Sequence, residues 1–211
     1  MGEVEGLEEI FLRRLSGWKR CLDVMGATAG LLVLSPLMFV IAIAVKLTST
    51  GPVFYVQERT GHNLCRFKMY KFRTMVHGAD KQLKKVQHIN EMTGPLVKIT
   101  RDPRLTKIGR FLRKTSFDEL PQLFNVLKGD MSIIGPRALS PLPSQYESWQ
   151  LRRFAVRPGI ACAWQAERRE DTDFADWMRS DLRYLDRACF WQDGCLLMKI
   201  VVRVITCRGA R

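Results

Sequence analysis

VMGATAGLLVLSPLMFVIAIAV, Val24 to Val45, is a run of 22 residues without a charged side chain. As a straight helix it would measure about 33 Å, close to the ~30 Å hydrocarbon core of a bilayer. The other reading, a buried core helix of a soluble protein, is disfavoured because the run exceeds the usual length of one. A cleavable signal peptide does not fit: the charged residues 1–23 precede the run, and no small-residue cleavage site with a polar start follows it.

Two features oppose a simple crossing. Ser35-Pro36 lies near the middle of the run, where proline removes a helical hydrogen bond and crowds the preceding turn, so a bend is expected. Trp18, Lys19 and Arg20 flank one end, and Lys46 with a strongly basic segment flanks the other. The positive-inside rule then places both ends in the cytoplasm. A helix broken at Ser35-Pro36, entering and leaving by one leaflet, satisfies both observations, with Ser35 capping a backbone group freed at the break. A kinked helix that spans fully is the alternative.

Outside the run, charge dominates. The 211 residues carry 34 Lys and Arg against 21 Asp and Glu, a net charge of +13, with 46% hydrophobic residues. A chain of this length and apolar content can bury a core, which excludes wholesale disorder. Its charge calls for anionic partners: nucleic acid, an acidic membrane surface or phosphorylated substrates. Gln57 to Lys128 holds 16 basic residues against 6 acidic ones, whereas the first nine residues contain four Glu and no basic residue. Cys21, Cys65, Cys162, Cys189, Cys195 and Cys207 show no C-x-x-C pair, so neither a zinc site nor a disulfide framework is indicated and reduced thiols are expected.

Gly51-Pro52 ends the apolar region, and PVFYVQERTGHNLCRFKMYKFRTM reads as two strands around a Gly61-His62-Asn63 turn. On the second strand Lys71 and Arg73 share a face by period two. Asp102-Pro103 reads as an N-cap and first turn; the helix after it sets Leu105, Ile108 and Leu112 against Arg104, Lys107, Arg110 and Lys114. Near the C-terminus, CLLMKIVVRVIT carries Lys199 and Arg203 on one stripe. It is too short to span, so it either packs in the core or lies in the membrane interface. Trp149, Trp164, Trp177 and Trp191 are candidates for docking at that surface or for the core.

The chemistry concentrates in RKTSFDELPQLFNVLKGDMSIIGPR, residues 113–137. Asp118 and Glu119 are adjacent acids in the most basic part of the chain, beside a helix start marked by Thr115 or Ser116 and by Pro121. A helix N-terminus and nearby cations should lower both carboxyl pKa values, suiting the pair to hold a hard cation or to attack as carboxylates. Ser116-x-x-Glu119 is also a capping-box pattern. Arg113, Lys114, Arg137, Arg157, Lys71 and Arg73 supply anion-binding groups, and Gly135-Pro136-Arg137 and Arg157-Pro158-Gly159 are turns that can fix a guanidinium. Cations with a magnesium ion can neutralise and orient a diphosphate while a carboxylate attacks phosphorus.

These residues bring out a family. LSPLMFVIAIAVKLTSTGPVFYVQERTG, FKMYKFRTM, DPRLTKIGRFLRKTSFDELPQLFNVLKGDMSIIGPR and RPGI resemble, over nearly the whole chain, the monotopic bacterial phosphoglycosyl transferases, the bacterial sugar transferase family. The resemblance implies an α+β, mostly helical fold with a small β-hairpin, amphipathic interfacial helices and a re-entrant helix broken at Ser35-Pro36. It implies three regions: an interfacial segment 1–23, a re-entrant helix 24–45 and a cytoplasmic catalytic domain 46–211. The implied reaction moves a sugar 1-phosphate from a UDP-sugar to a polyprenyl (undecaprenyl) phosphate with release of UMP, at the cytoplasmic face of the bacterial inner membrane. Matched to the family's motifs, Asp118 is the nucleophile and Glu119 joins it in holding Mg2+. Arg113 and Arg137 bind phosphate, with Lys71 and Arg73 beside them, and Arg157, Pro158 and Gly159 form the turn associated with the nucleotide. Anionic lipids are expected partners, a homo-oligomer is left open, and nucleic acid is not expected.

The chain departs from the family at two places. Ala138 follows Gly135-Pro136-Arg137 where proline is usual, and Ile160-Ala161-Cys162-Ala163-Trp164-Gln165 lacks the usual Thr-Gly, which bears on nucleotide or sugar contacts. The competing reading is a non-catalytic, membrane-tethered module that binds anionic lipid or nucleic acid. The lack of interleaved aromatic and basic residues disfavours the nucleic-acid version.

Overall fold

The computed structural model describes residues 16–140, 143–167 and 172–206. Most of the expected interfacial segment 1–23, and Cys207, lie outside them, as does the side chain of Arg203. The first element, α1, is a 32-residue helix, Gly17–Thr48, that begins well before the apolar run. The helix continues through Pro36, so the break expected at Ser35-Pro36 is not an interruption of the helix. The reason is local. Pro36 has no N–H to offer the Leu32 carbonyl, and the Ser35 hydroxyl donates to that same carbonyl at 3.0 Å.

Both halves of α1 pack against the rest of the chain. Arg20 donates to the Val126 and Leu127 carbonyls at 2.6 and 2.8 Å, and Asp23 accepts from Ser132 Oγ and the Ile133 N–H, both at 2.9 Å. Ala27 is fully buried with Val126 and Met131. Beyond Pro36, Met38, Ile41 and Val45 bury against Phe72 and Leu112. On the other side of the helix, Leu32, Val33, Phe39, Val40 and Leu47 are 61% to 80% exposed. An apolar strip of that extent is what a lipid-facing surface needs.

Strands β1 (Phe54–Thr60) and β2 (Arg66–Phe72) form the expected antiparallel hairpin, with Tyr55 opposite Lys71 and Arg59 opposite Phe67. The turn places Asn63 and Leu64 at φ 52° and 59°. Asn125, wholly buried, donates to the Lys68 carbonyl at 2.7 Å and accepts from the Tyr70 N–H at 3.0 Å. One side chain thus serves the free edge of β2 as a neighbouring strand would.

Helix α2 (Lys107–Thr115) is capped by Thr106, whose hydroxyl accepts from the Gly109 N–H at 2.9 Å. The cap expected at Asp102-Pro103 is therefore displaced: Asp102 is engaged by Arg104, with contacts of 2.9 and 2.7 Å. Ser116, at φ 60°, ends α2 and at once opens the helical turn that follows, its carbonyl accepting from the Glu119 N–H at 3.2 Å, with no side-chain cap. A tight helical turn, Phe117–Glu119, carries the two acids, and α3 (Gln122–Lys128) follows and ends at Gly129, φ 91°.

An element not anticipated from the sequence is a parallel pair, β3 (Ser132–Ile134) with β4 (Gly159–Ala161). It sets the two glycine-containing turns side by side, with Gly159 N–H donating to the Pro136 carbonyl at 2.8 Å. A Cβ on Gly159 would lie 2.1 Å from the Gly135 nitrogen, so this approach requires glycine. Helices α4 (Ala163–Glu167), α5 (Phe174–Arg187) and α6 (Phe190–Thr206) complete the chain. Trp164 and Trp177 stack at 4.9 Å in the core, whereas Trp149 and Trp191 are exposed. On α6, Leu196 is buried and Trp191, Met198 and Val202 face outward, while Lys199 pairs with Glu167 at 3.2 Å. The architecture is mostly helical with one small hairpin.

Candidate active site

The turn Phe117–Glu119 exists because Ser116 takes a left-handed conformation, reversing the chain after α2 and leading into α3. Both carboxyl-bearing residues of this turn are 7% exposed. Glu119 is held on two sides. Lys71, from β2, donates to its Oε1 at 2.9 Å, and Arg137, from the turn after β3, donates to Oε1 and, at 3.3 Å, to Oε2. Asp118 makes no side-chain hydrogen bond among the described residues, although Lys71, Arg113 and Arg137 all act on its charge.

This asymmetry separates the two acids. Burial would raise the Glu119 carboxyl, but the charges and hydrogen bonds of Arg137 and Lys71 together outweigh it and hold Glu119 well below the usual carboxylate range. For Asp118, burial comes first and the adjacent Glu119 charge adds to it; these exceed the pull of Lys71, Arg113 and Arg137 and raise the carboxyl to about 6. The expectation that both pKa values fall therefore holds for Glu119 alone. The capping-box reading also gives way, since the Glu119 carboxylate is engaged by Lys71 and Arg137 and no side-chain cap forms at Ser116.

Arg113 stands on the last turn of α2, and its Nε donates to Thr74 Oγ1 at 3.1 Å. Burial lowers its pKa, against the charges of Asp118 and Asp102. Arg137 is fixed from behind: the buried Arg153 donates to the Arg137 carbonyl at 2.6 Å and pairs with Asp181 at 2.7 Å.

Asp118, Glu119, Lys71, Arg113 and Arg137 are thus brought together. Three expected members are not, and one of them, Lys114, is exposed and does not figure among the electrostatic neighbours of either acid. Arg73 turns to the end of α1, where its Nη2 donates to Ser49 O and Oγ, both at 2.8 Å. The last carbonyls of a helix lack intrahelical donors, and Arg73 supplies one, so its sharing of a face with Lys71 does not bring it to the acids. Arg157 is lowered first by burial, then by Arg20, with Asp23 acting the other way; neither acid of the pair figures among its electrostatic neighbours. Pro158 and Gly159 contribute backbone beside Pro136 and Arg137. Ser35 and Pro36 remain in α1, remote in role from this cluster.

Sequence reasoning missed Arg59. It lies on β1 in alternation with Tyr55 and Gln57, and Arg137 and Glu119 act on its charge. The alternation was legible on β1 as on β2. The Arg153–Asp181 pair, 28 residues apart, left no local signal.

For a divalent metal, no group of three or more His, Cys, Asp or Glu side chains occurs among the described residues. Glu119 is already engaged by two cations, and Asp118 alone has uncommitted oxygens. Magnesium is commonly held by one or two carboxylates together with substrate phosphates and waters. The donor set fits magnesium in that shared form, with phosphate oxygens completing it.

Residues 14–207 match the family model described as bacterial sugar transferase. The chain is 39% identical over 197 residues to the galactosyl transferase CpsE of Streptococcus agalactiae, covering 92% of this chain and 43% of that protein. It is 37% identical to the exopolysaccharide production protein ExoY of Rhizobium meliloti, covering 91% and 87%. It is 35% identical to the UDP-N-acetylgalactosamine-undecaprenyl-phosphate N-acetylgalactosaminephosphotransferase of Aeromonas hydrophila, covering 92% and 45%. The chain thus spans less than half of two of these relatives and most of the third. It belongs to the bacterial sugar transferase family.

Proposed function

We propose that the protein transfers a sugar 1-phosphate from a UDP-sugar to a polyprenyl phosphate, undecaprenyl phosphate in the bacterial membrane, as the first membrane step of a glycan. One observation carries this reading. Of two adjacent buried acids, Glu119 is committed to Lys71 and Arg137 while Asp118 has free lone pairs. The name of the Aeromonas relative supplies the donor and acceptor classes.

In the first step an Asp118 carboxylate oxygen attacks the β-phosphorus of the UDP-sugar. The bond from that phosphorus to the bridging oxygen breaks, UMP leaves with the oxygen, and an aspartyl phosphosugar remains. A phosphate oxygen of the polyprenyl phosphate then attacks the same phosphorus. The carboxylate departs and a polyprenyl diphosphosugar forms. Lys71, Arg113 and Arg137 neutralise the phosphate oxygens in both steps, which favours a single site used in turn. Magnesium, which Asp118 would share with the diphosphate and which Glu119 would join on release from Lys71 or Arg137, would supply further charge neutralisation. The turn Arg157-Pro158-Gly159 is assigned to the nucleotide side.

The packing of α1 supports the membrane placement. Its two halves are fastened to one body, through Arg20 and Asp23 before Pro36 and through Met38, Ile41 and Val45 after it. A helix crossing the bilayer would have to carry that body to both sides. This supports a monotopic placement at the cytoplasmic face, with the continuous α1 bent at Pro36, where one backbone hydrogen bond is missing, so that both ends stay on one leaflet.

Purified protein given UDP-sugars and polyprenyl phosphate should release UMP, and donor alone should leave a phosphosugar adduct detectable by intact-protein mass. Asp118→Asn should abolish both. UMP release by that variant at a tenth of the parent rate or more would remove Asp118 as nucleophile. Salt-dependent lipid or nucleic-acid binding without any UMP release would favour the non-catalytic module.

A further inference from the structure

Arg59 is a cation without an acidic hydrogen-bond partner among the described residues. Its Nη2 donates to the neutral Gln57 at 2.7 Å, while its buried Nε has no partner among the described residues. The residue shares a face of β1 with Tyr55, which sits opposite Lys71 in the hairpin register. About 13 Å of strand separates the positions of Tyr55 and Arg59, yet Arg59 and Lys71 are electrostatic neighbours, and each also acts on Glu119 and on Arg137. Burial, followed by the charge of Arg137, lowers the Arg59 guanidinium to about 10.

The charge of this group does not close. Four cations, Arg59, Lys71, Arg113 and Arg137, stand around the two carboxylates of Asp118 and Glu119. Arg137 and Lys71 hydrogen-bond to Glu119, whereas the Arg59 Nε has no partner among the described residues and its Nη2 meets only the neutral Gln57. A cation kept partly out of water with no hydrogen-bonded counter-charge destabilises the empty protein. Such a cost persists where a ligand removes it.

We infer that Arg59 binds a diphosphate, its guanidinium donating to oxygens of the nucleotide-sugar donor beside Arg137, with Gln57 aiming the side chain. This rests on the reading of the protein as a UDP-sugar phosphotransferase for the identity of the donor, but the anion chemistry stands on the cluster alone. A planar fork with fixed geometry suits paired phosphate oxygens better than an ammonium does.

The test uses the full chain in detergent with magnesium held constant, and inorganic pyrophosphate, UDP, uridine and farnesyl monophosphate as probes. Arg59→Met should weaken pyrophosphate and UDP at least tenfold and leave uridine unaffected. Arg59→Lys, which keeps charge but not the fork, should recover only part of the loss. Without ligand, the melting temperature of Arg59→Met should equal or exceed that of the parent, because a destabilising cation is gone. Glu58→Gln, an exposed change on the opposite face of β1, is the control. Parent-like pyrophosphate affinity in Arg59→Met would overturn the inference, as would a loss confined to farnesyl monophosphate. So would a ligand-free melting temperature several degrees lower, which marks a structural arginine. Should the parent protein release no UMP while pyrophosphate binding still depends on Arg59, the reaction falls and the anion site stands.

Discussion

Asp118 and Glu119 are neighbours in sequence with opposite protonation behaviour, and this has consequences for both rate and stability. A carboxylate must be ionised to attack, so UMP release in the first turnover should rise through pH about 6, following Asp118. Removing the Glu119 charge with Glu119→Gln takes away the repulsion that raises Asp118 and leaves Lys71 and Arg137 free to lower it. The acidic limb should therefore move to lower pH, measurable as the pH profile of single-turnover UMP release even though the rate itself falls. For stability, a carboxyl raised on folding contributes fully below its unfolded pKa and loses that contribution as pH rises through the folded value. Asp118 accordingly costs the folded state about 1–3 kcal/mol above pH 6. Asp118→Asn should raise the melting temperature at pH 8, and the gain should vanish near pH 4. Glu119→Ala acts oppositely, leaving buried cations unpaired, and should destabilise by about 3–5 kcal/mol in urea unfolding.

Elements place these residues, and some of that placement was legible in advance. The hairpin and its turn could be read from alternation and from Gly61-His62-Asn63, and the long apolar helix from hydropathy. The parallel pairing of β3 with β4 could not, because two three-residue strands carry no periodicity; the pairing depends on glycines that let backbones meet. The fate of Arg73 was equally hidden, since the helix end that captures it lies 24 residues away in sequence. Asp118, Glu119, Lys71, Arg113 and Arg137 were found because their types and clustering carry chemistry, whereas the long-range ties behind them, such as Arg153 to Asp181, do not show in a linear pattern. Packing of α2 gives a direct test of placement. A Cβ on Gly109 would lie 1.9 Å from the Thr74 carbonyl oxygen, and Thr74 holds Arg113. Gly109→Ala should cost at least ~1–3 kcal/mol of stability and reduce UMP release more than tenfold, read by urea unfolding and by turnover in the fraction that remains folded.

At the scale of the whole molecule, the outward surfaces of α1 and α6 are apolar at Leu32, Val33, Phe39, Val40, Trp191 and Met198, and the head of α1 is tied to α6 through Lys19 and Asp193. The two helices thus offer surface to a bilayer from a single body. Cysteines introduced at Gly17 and Thr48, the ends of α1, should both react with an impermeant thiol reagent added from the cytoplasmic side of inverted vesicles and neither from the periplasmic side. Reaction of one end from the periplasm would establish a crossing. A Trp191→Glu and Met198→Glu double variant should float less with anionic vesicles, by several fold, with unchanged circular dichroism.

The contacts of Asp23 also bear on how the chain is made. Its partners Ser132 and Ile133 lie 109 and 110 residues further along, a delay of about 5–20 s at ordinary rates of translation. During that interval the most apolar helix of the protein has left the ribosome, while the surface that receives its inner side does not yet exist. The nascent chain must therefore be sheltered, by early delivery to lipid or by a chaperone. A truncation that stops translation before residue 126 should expose α1 and aggregate when no membrane is present during synthesis.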